Sequence, residues 1–471
     1  MRRLVLLLSA VSFGAACSLI TPLDELAPIH GADGGGADGP VADSSSDAGV
    51  DAPTTDAGDA SAPTGALALA VGGQYTDYVG GFGQHACVIA AKDHSVYCWG
   101  ANEHGQLGNG QDGAGTTSAD LSKAGRVDQD STLSPFTGVD QISLGAWHSC
   151  ARRGTDVYCW GQRQSGAIGD GPYGFSAVDA FRPTHVPGVG ATSVGAGGGH
   201  TCVVDLSGAV RCWGYNGYGQ LGHPPGPPDT MVTIFFDTSG TPYCNGTPTL
   251  ASFNATAVDV SSGVLDTCVL VGDSFVQCWG DNALGELASS STGAATSTPN
   301  KVQRLALSGT AYLGSVTQLS SHGKHGCGLL KDGTVWCWGQ NNGGQVGGAP
   351  NPSAYAIPVA SVPDGGASAV STGDGNTCAV TPSGNVWCWG FDSMGQLGDG
   401  NTASSSTAQE VKGPGGVGVL AGVSRVAVGF SFACALKTDG TVWCWGDNQH
   451  GELGNGTTTA SPYPVQVQGI P

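Results

Sequence analysis

The sequence predicts an all-β fold: a seven-bladed β-propeller of four-stranded blades, closed by joining its N- and C-terminal strands. Three observations carry this expectation. The tripeptide Cys-Trp-Gly occurs seven times, beginning at Cys98, Cys159, Cys212, Cys278, Cys337, Cys388 and Cys444, at steps of 51 to 66 residues. A fixed motif at such intervals marks a repeat architecture. The 471 residues include 80 Gly and only 11% charged residues, which suits short strands and tight turns and not helices. After the seventh copy the chain runs through Pro464-Val465-Gln466-Val467, patterned like an outer strand, with no further unit behind it. That run is expected to complete the first blade and hold termini that would otherwise fray.

The last unit shows how four strands arise. Val426 to Val428 leads to Gly429, and Cys434-Ala435-Leu436 and Val442-Trp443-Cys444 then flank Asp439-Gly440. Two alternating apolar runs around Asp-Gly form a hairpin. If Cys434 faces Cys444, Leu436 faces Val442, and Thr438 to Gly440 remain for the loop. Gly440 supplies the left-handed residue that such a loop needs. Pro-containing runs such as Pro462-Tyr463-Pro464 suit an outer edge strand, where a missing N–H is tolerated.

Sixteen cysteines imply an oxidising compartment. Fourteen fall into pairs spaced nine to eleven apart, one pair per unit: Cys87–Cys98, Cys150–Cys159, Cys202–Cys212, Cys268–Cys278, Cys327–Cys337, Cys378–Cys388 and Cys434–Cys444. Hairpin register puts each pair directly opposite, near the distance a disulfide needs. Zinc would require two hairpins to share a site. Cys17 and Cys244 are left over. Cys244 lies in the longest insertion, about residues 222–258, and is expected to be an unpaired surface thiol.

Residues 1–17 read as a signal peptide. Arg2 and Arg3 precede an apolar stretch from Leu4 to Ala16, too short to span a bilayer. Gly14-Ala15-Ala16-Cys17 resembles a bacterial lipobox, which makes Cys17 the expected lipidation site. Residues 18–66, rich in Gly, Ala, Asp, Ser and Pro, cannot bury enough surface to order themselves and are expected to tether the domain 67–471. The expected location is the extracytoplasmic face of a bacterial envelope, as an outer-membrane lipoprotein or a secreted monomer. The lipid is its only expected contact with a membrane. A formal charge of −20 with no basic stripe excludes a nucleic-acid partner.

No nucleophile elbow, phosphate loop or zinc-protease motif occurs, so no catalytic residue, metal or cofactor is expected. His85, His148, His200 and His325 take equivalent places in four units. A residue repeated unit by unit does a structural job, here a hydrogen bond to neighbouring backbone, and the repeated Trp is core. The informative positions are those where units disagree, three and four residues before the first Cys of each pair. Trp147, Leu265, Lys324 and Phe430 stand there, in loops expected to ring one face. They are the candidate binding residues.

Gly-x-x-His-x-apolar followed by Trp-Gly-x-Asn-x-x-Gly-Gln-Leu-Gly resembles the repeat of the regulator of chromosome condensation family over residues 67–471. The resemblance implies a seven-bladed propeller. The chain departs from the family by placing Cys at paired positions, and by Asp266, Asn376 and Phe432 where His is expected. The function expected is a lipid-anchored binding or scaffold module for a protein or an envelope glycan. A hydrolase or lyase with a site in the central channel is the alternative. Guanine-nucleotide exchange, as in the namesake, is disfavoured by the leader and the missing basic arm.

Overall fold

The computed structural model describes residues 65–471 apart from 77–79, 111–119, 172, 175–176, 227–228, 232–242, 273, 306–310 and 349. The expected leader, Cys17 and nearly all of the expected tether lie outside the described residues. The described chain is all-β, with one short 3-10 turn at Pro414–Gly416. No helix among the described residues is long and apolar enough to cross a membrane.

The last unit is the clearest. Val423–Val428, Phe432–Lys437, Val442–Gly446 and Ser461–Gln466 form an antiparallel sheet in that order. Cys434 stands opposite Cys444 and Leu436 opposite Val442, the register that the spacing implies. Asp439 Oδ1 accepts the Thr441 amide at 2.9 Å and the Thr441 hydroxyl at 2.6 Å, and Gly440 takes φ +81° to close the turn. The Gly of Cys-Trp-Gly is equally constrained. Gly446 has φ +107°, and a Cβ there would lie 2.5 Å from Ser431 O. The third strand can therefore bend only at glycine.

The sheets beginning at Ala66, Ala257 and Ala369 repeat this plan. Elsewhere units merge. Ala180–Ala196 is the fourth strand of the second unit and the first strand of the third, which joins both in an eight-stranded sheet. The expected insertion proves to be partly structural. Tyr243–Leu250 is the fourth strand of the third unit, pairing Arg211 with Leu250 and Tyr215 with Cys244, and Thr230–Met231 pairs outside it. Cys244 is accordingly buried, not the surface thiol expected. The expected sealing strand also needs correcting. Ser461–Gln466 pairs with Val442–Gly446 of its own unit, and Leu121–Arg126 already completes the first sheet. The outer strand follows its hairpin in every unit, so the chain end has no vacant place to fill in the first.

All seven cysteine pairs are disulfide-bonded across directly opposed positions. All are fully buried, as are the seven tryptophans that follow the second cysteines. Each indole N–H donates to a carbonyl of the neighbouring unit: Trp160 to Gln106 O at 2.8 Å, Trp213 to Ala167 O at 2.8 Å, Trp389 to Gln345 O at 2.9 Å. Trp279, Trp338 and Trp445 do the same to Gln220, Glu286 and Gln396. Trp99 of the first unit donates to Glu452 O of the last at 2.7 Å.

The repeated histidines reinforce these junctions through hydroxyls of the next unit, and His85 also bonds the backbone carbonyl of Gly83 through Nδ1. His85, His148, His200 and His325 place Nε2 2.8 to 2.9 Å from Ser149, Thr201, Thr267 and Thr377 of the next unit. Each hydroxyl in turn donates to the carbonyl already bonded by the indole. Burial lowers the imidazole pKa to about 4 at His85 and about 3 at the other three, which keeps them neutral.

Candidate functional site

The ends of the strands define two edges of the domain. Ala66 pairs with Ala90 at one edge, and Gly72 pairs with His85 at the other, roughly 20 Å away at the rise of an extended strand. The hairpin turns and both described ends of the chain share the first edge. Gly65 N donates to Pro471 O and Ala66 N to Gly440 O, both at 2.9 Å. The loops preceding the second strands and those following Cys-Trp-Gly share the opposite edge.

A cleft of ≈ 510 Å³ opens on that opposite edge. The fifth unit supplies Lys324, Gln340 and Asn342, the sixth Asp374, Phe391 and Met394. The last supplies Phe430, Asp447 and His450, and Gln84 of the first completes it. Phe391 and Met394 are 36% and 40% exposed. The floor is a small polar network: Ser431 Oγ donates to Gln84 Oε1 at 2.9 Å, and Gln84 Nε2 donates to Asp447 Oδ2 at 3.4 Å. His450 Nδ1 bonds Asp120 Oδ2 of the first unit at 2.8 Å, and this bond raises its pKa to about 9. It carries a charge at neutral pH that the carboxylate balances.

Of the four residues singled out by sequence, the structure brings two together. Lys324 and Phe430 both line the cleft. Trp147 is buried, with its ring 6.1 Å from that of His104 and packed beneath Gly83 of the first unit. Leu265 packs on the cluster of Tyr215 and Cys244. Trp147 is withdrawn by the backbone at Gly83, and Leu265, half-buried, by its packing on Tyr215 and Cys244. Phe391 and Met394 were missed. They stand one and four residues after a Trp-Gly, where units vary just as they do before the first Cys: Ala101, Gln162, Tyr215, Asp281, Gln340, Phe391 and Asp447.

A second cavity of ≈ 570 Å³ is lined by residues from the first strands of all seven units, Val71, Leu144, Ala196, Val260, Ser320, Thr372 and Val428 among them. Its polar groups tie one first strand to the next. Gln141 exchanges two hydrogen bonds with the backbone of Val194 at 3.2 Å, and Gln318 does the same with Val370 at 2.9 and 3.1 Å. Its charged or titratable lining residues are Asp259, His322 and Arg425. Asp259 accepts from Ser193 Oγ at 2.6 Å, and burial raises its pKa. His322 donates through Nε2 to Gly73 O, 3.2 Å away on the first unit. Among the described residues the cavity thus offers one carboxylate.

Repeated four-stranded units, stitched edge to edge and carrying a cleft in their variable loops, define a repeat β-propeller. The chain belongs to the regulator of chromosome condensation repeat family. One model of that repeat matches residues 191–220, 316–345, 367–396 and 423–452, and a second matches 93–152, 383–436 and 439–471. The ultraviolet-B receptor UVR8 of Arabidopsis thaliana is 27% identical over 347 residues, 72% of each chain. Human WBSCR16 superposes with a TM-score of 0.64 at 21% identity, over 80% of this chain and 96% of that one. Yeast RCC1 (Prp20), solved with Kap60 bound, superposes with a TM-score of 0.61 at 17% identity, over 80% and 84%.

Proposed function

We propose that the chain is an extracytoplasmic binding propeller, a closed ring of seven four-stranded blades that recognises its ligand through the cleft of the fifth, sixth, seventh and first units. The cleft carries this reading. It combines exposed aromatic and thioether groups with convergent amides on a rigid scaffold, the composition of a recognition site. Ring closure is supported by the bond from Trp99 to Glu452, equivalent to the other six, and by Phe432 packing with Ala86 in one buried cluster. Seven buried disulfides favour an oxidising compartment. Lipid on Cys17 and a tether through residues 18–66 complete the reading, and the tether joins the domain at Gly65, on the edge opposite the cleft. That kin such as yeast RCC1 is solved with a protein partner bound accords with a binding role. A hydrolase or lyase in the central channel is the weaker reading, because Asp259 of that cavity is engaged by Ser193 Oγ at 2.6 Å and His322 by Gly73 O at 3.2 Å.

The test uses unanchored protein, Cys17→Ser, added to intact cells lacking their own copy. Wild-type cleft protein is retained on the surface, and Phe391→Ala with Phe430→Ala is washed away. Equal retention of both proteins overturns the reading. Mass analysis of the native N-terminus checks the anchor, which fails if Cys17 is unmodified.

A further inference from the structure

We propose that this cleft takes a neutral saccharide, a short stretch of uncharged glycan seated on the ring of Phe391. The inference rests on the binding reading above and gives it a ligand class.

Phe391 is held as a platform. It is backed by glycines from two loops, Gly343 of the fifth unit and Gly375 of the sixth. A Cβ at either position would come within 2.6 or 2.5 Å of the ring. These glycines leave room for the ring to lie against backbone, and the residue keeps 36% of its surface exposed. A ring fixed before binding loses little conformational freedom when a ligand arrives. Its electron-rich face attracts the polarised C–H bonds on one side of a sugar ring.

The charges around the platform are already engaged. His450 is bonded to Asp120 at 2.8 Å. Asp447 accepts the Asn448 amide at 2.8 Å through Oδ1, and Gln84 and Ser431 at 3.4 and 3.5 Å through Oδ2. Lys324 and Asp374 each have an interaction partner as well. A charged ligand would have to break one of these arrangements and leave a half-buried charge uncompensated, which is costly. A neutral one need not.

What remains for hydrogen bonding is uncharged, the Ser393 hydroxyl and side-chain amides. Asn342 and Gln449 are exposed and Gln340 half-buried. A side-chain amide offers a donor and an acceptor side by side, the complement of two adjacent hydroxyls. At ≈ 510 Å³ the cleft falls in the range of small-ligand sites, roughly 300–1,000 Å³. A stable protein interface, by contrast, covers about 800 Å² per partner.

The test is calorimetric titration of the full-length protein with three probe sets. These are neutral oligomers of glucose, mannose, galactose and N-acetylglucosamine, uronate oligomers of equal length, and short uncharged peptides. At least one neutral oligomer binds, and uronates bind at least tenfold more weakly. Phe391→Leu keeps the apolar volume without the ring and weakens binding tenfold or more, with the melting temperature unchanged. Gly375→Ala, which displaces the ring, does the same. The inference is overturned if no neutral oligomer binds, if Phe391→Leu leaves affinity unchanged, or if a peptide occupies the cleft instead. Cell-surface retention separates the two claims. Retention that depends on the cleft but resists competition by every saccharide removes the sugar and leaves the binding module. Retention independent of the cleft removes both.

Discussion

His148 Nε2 lies 2.9 Å from Thr201 Oγ1, and the two residues belong to successive units. Thr201 gives its own hydrogen to Ala167 O at 2.9 Å, so the imidazole must donate. The same arrangement decides residue identity around the molecule. Where Ser149, Thr201, Thr267 or Thr377 supplies a hydroxyl, the preceding unit has His. Where Gly326, Ala433 or Ala86 stands instead, the preceding unit has Asp266, Asn376 or Phe432. A buried imidazole without a partner would carry the cost of an unsatisfied polar group; Phe432 avoids it with an apolar ring, and Asp266 bonds Ser321 Oγ at 3.1 Å instead.

Acid should loosen these junctions. His148 has a pKa of about 3 when folded, against an ordinary value of 6.5. The unfolded chain therefore takes up the proton first, and stability falls as pH drops from 6.5 towards 3. The paired change His148→Phe with Thr201→Ala copies the Phe432–Ala86 junction and removes that proton uptake. Between pH 7 and pH 4.5 the variant should lose about 2–3 kcal/mol less stability than wild type. Urea midpoints at the two pH values measure this, and equal losses count against neutral histidine clasps.

The blank junction after the sixth unit can be filled. Asn376 is fully buried, and neither its amide oxygen nor its nitrogen has a hydrogen-bond partner. The change Asn376→His with Ala433→Thr installs the pair used at four other junctions, with Gln396 O ready to accept the new hydroxyl beside the Trp445 indole. The double variant should gain about 1 kcal/mol over the sum of its single changes. A double-mutant cycle with no coupling denies that the motif is transferable.

The unit itself was legible in the sequence because its causes are local. Cys434 opposite Cys444 follows from spacing, and Gly440 and Gly446 stand where only glycine fits. What escaped is set by covering segments from elsewhere. Trp147 reads as a loop anchor until Gly83 of another unit is placed over it. Tyr243–Leu250 lacks the pattern of an outer strand, so Cys244 reads as exposed. The cleft was half visible through Lys324 and Phe430. Phe391 went unseen because only the loop before the second strand was compared between units, although the loop after Trp-Gly reaches the same edge.

Glu286 occupies a place held by glutamine in four other units, Gln106, Gln220, Gln345 and Gln396. Its Oε2 accepts the Leu284 amide at 2.8 Å, while its other oxygen is buried without a partner. Burial raises its pKa to about 7, helped by Asp281. A carboxyl whose folded pKa is raised holds its proton longer when folded, so its contribution is complete below about 4.5 and is lost as pH rises through 7. Glu286→Gln should therefore match wild type near pH 4.5 and exceed it at pH 8 by roughly 2 kcal/mol. Melting curves at the two pH values test this, and a variant that is no more stable at pH 8 excludes a buried, proton-holding Glu286.

Thiol chemistry should separate Cys244 from its fourteen paired relatives. Its sulfur lies fully buried beside Tyr215, and burial, with Asp229 nearby, raises its pKa to about 12. Thiolate is the reactive form, so a native-state alkylating agent should leave Cys244 untouched at neutral pH. In denaturant without reductant Cys244 should label, and the seven pairs should not. Each pair closes a loop of nine to eleven residues, so removing one, as in Cys434→Ala with Cys444→Ala, should cost at most about 3 kcal/mol. Peptide mapping after alkylation reads every site at once. Native labelling of Cys244 would contradict its burial beside Tyr215, and labelling of any paired cysteine in unreduced protein would contradict the opposed register on which each unit is built.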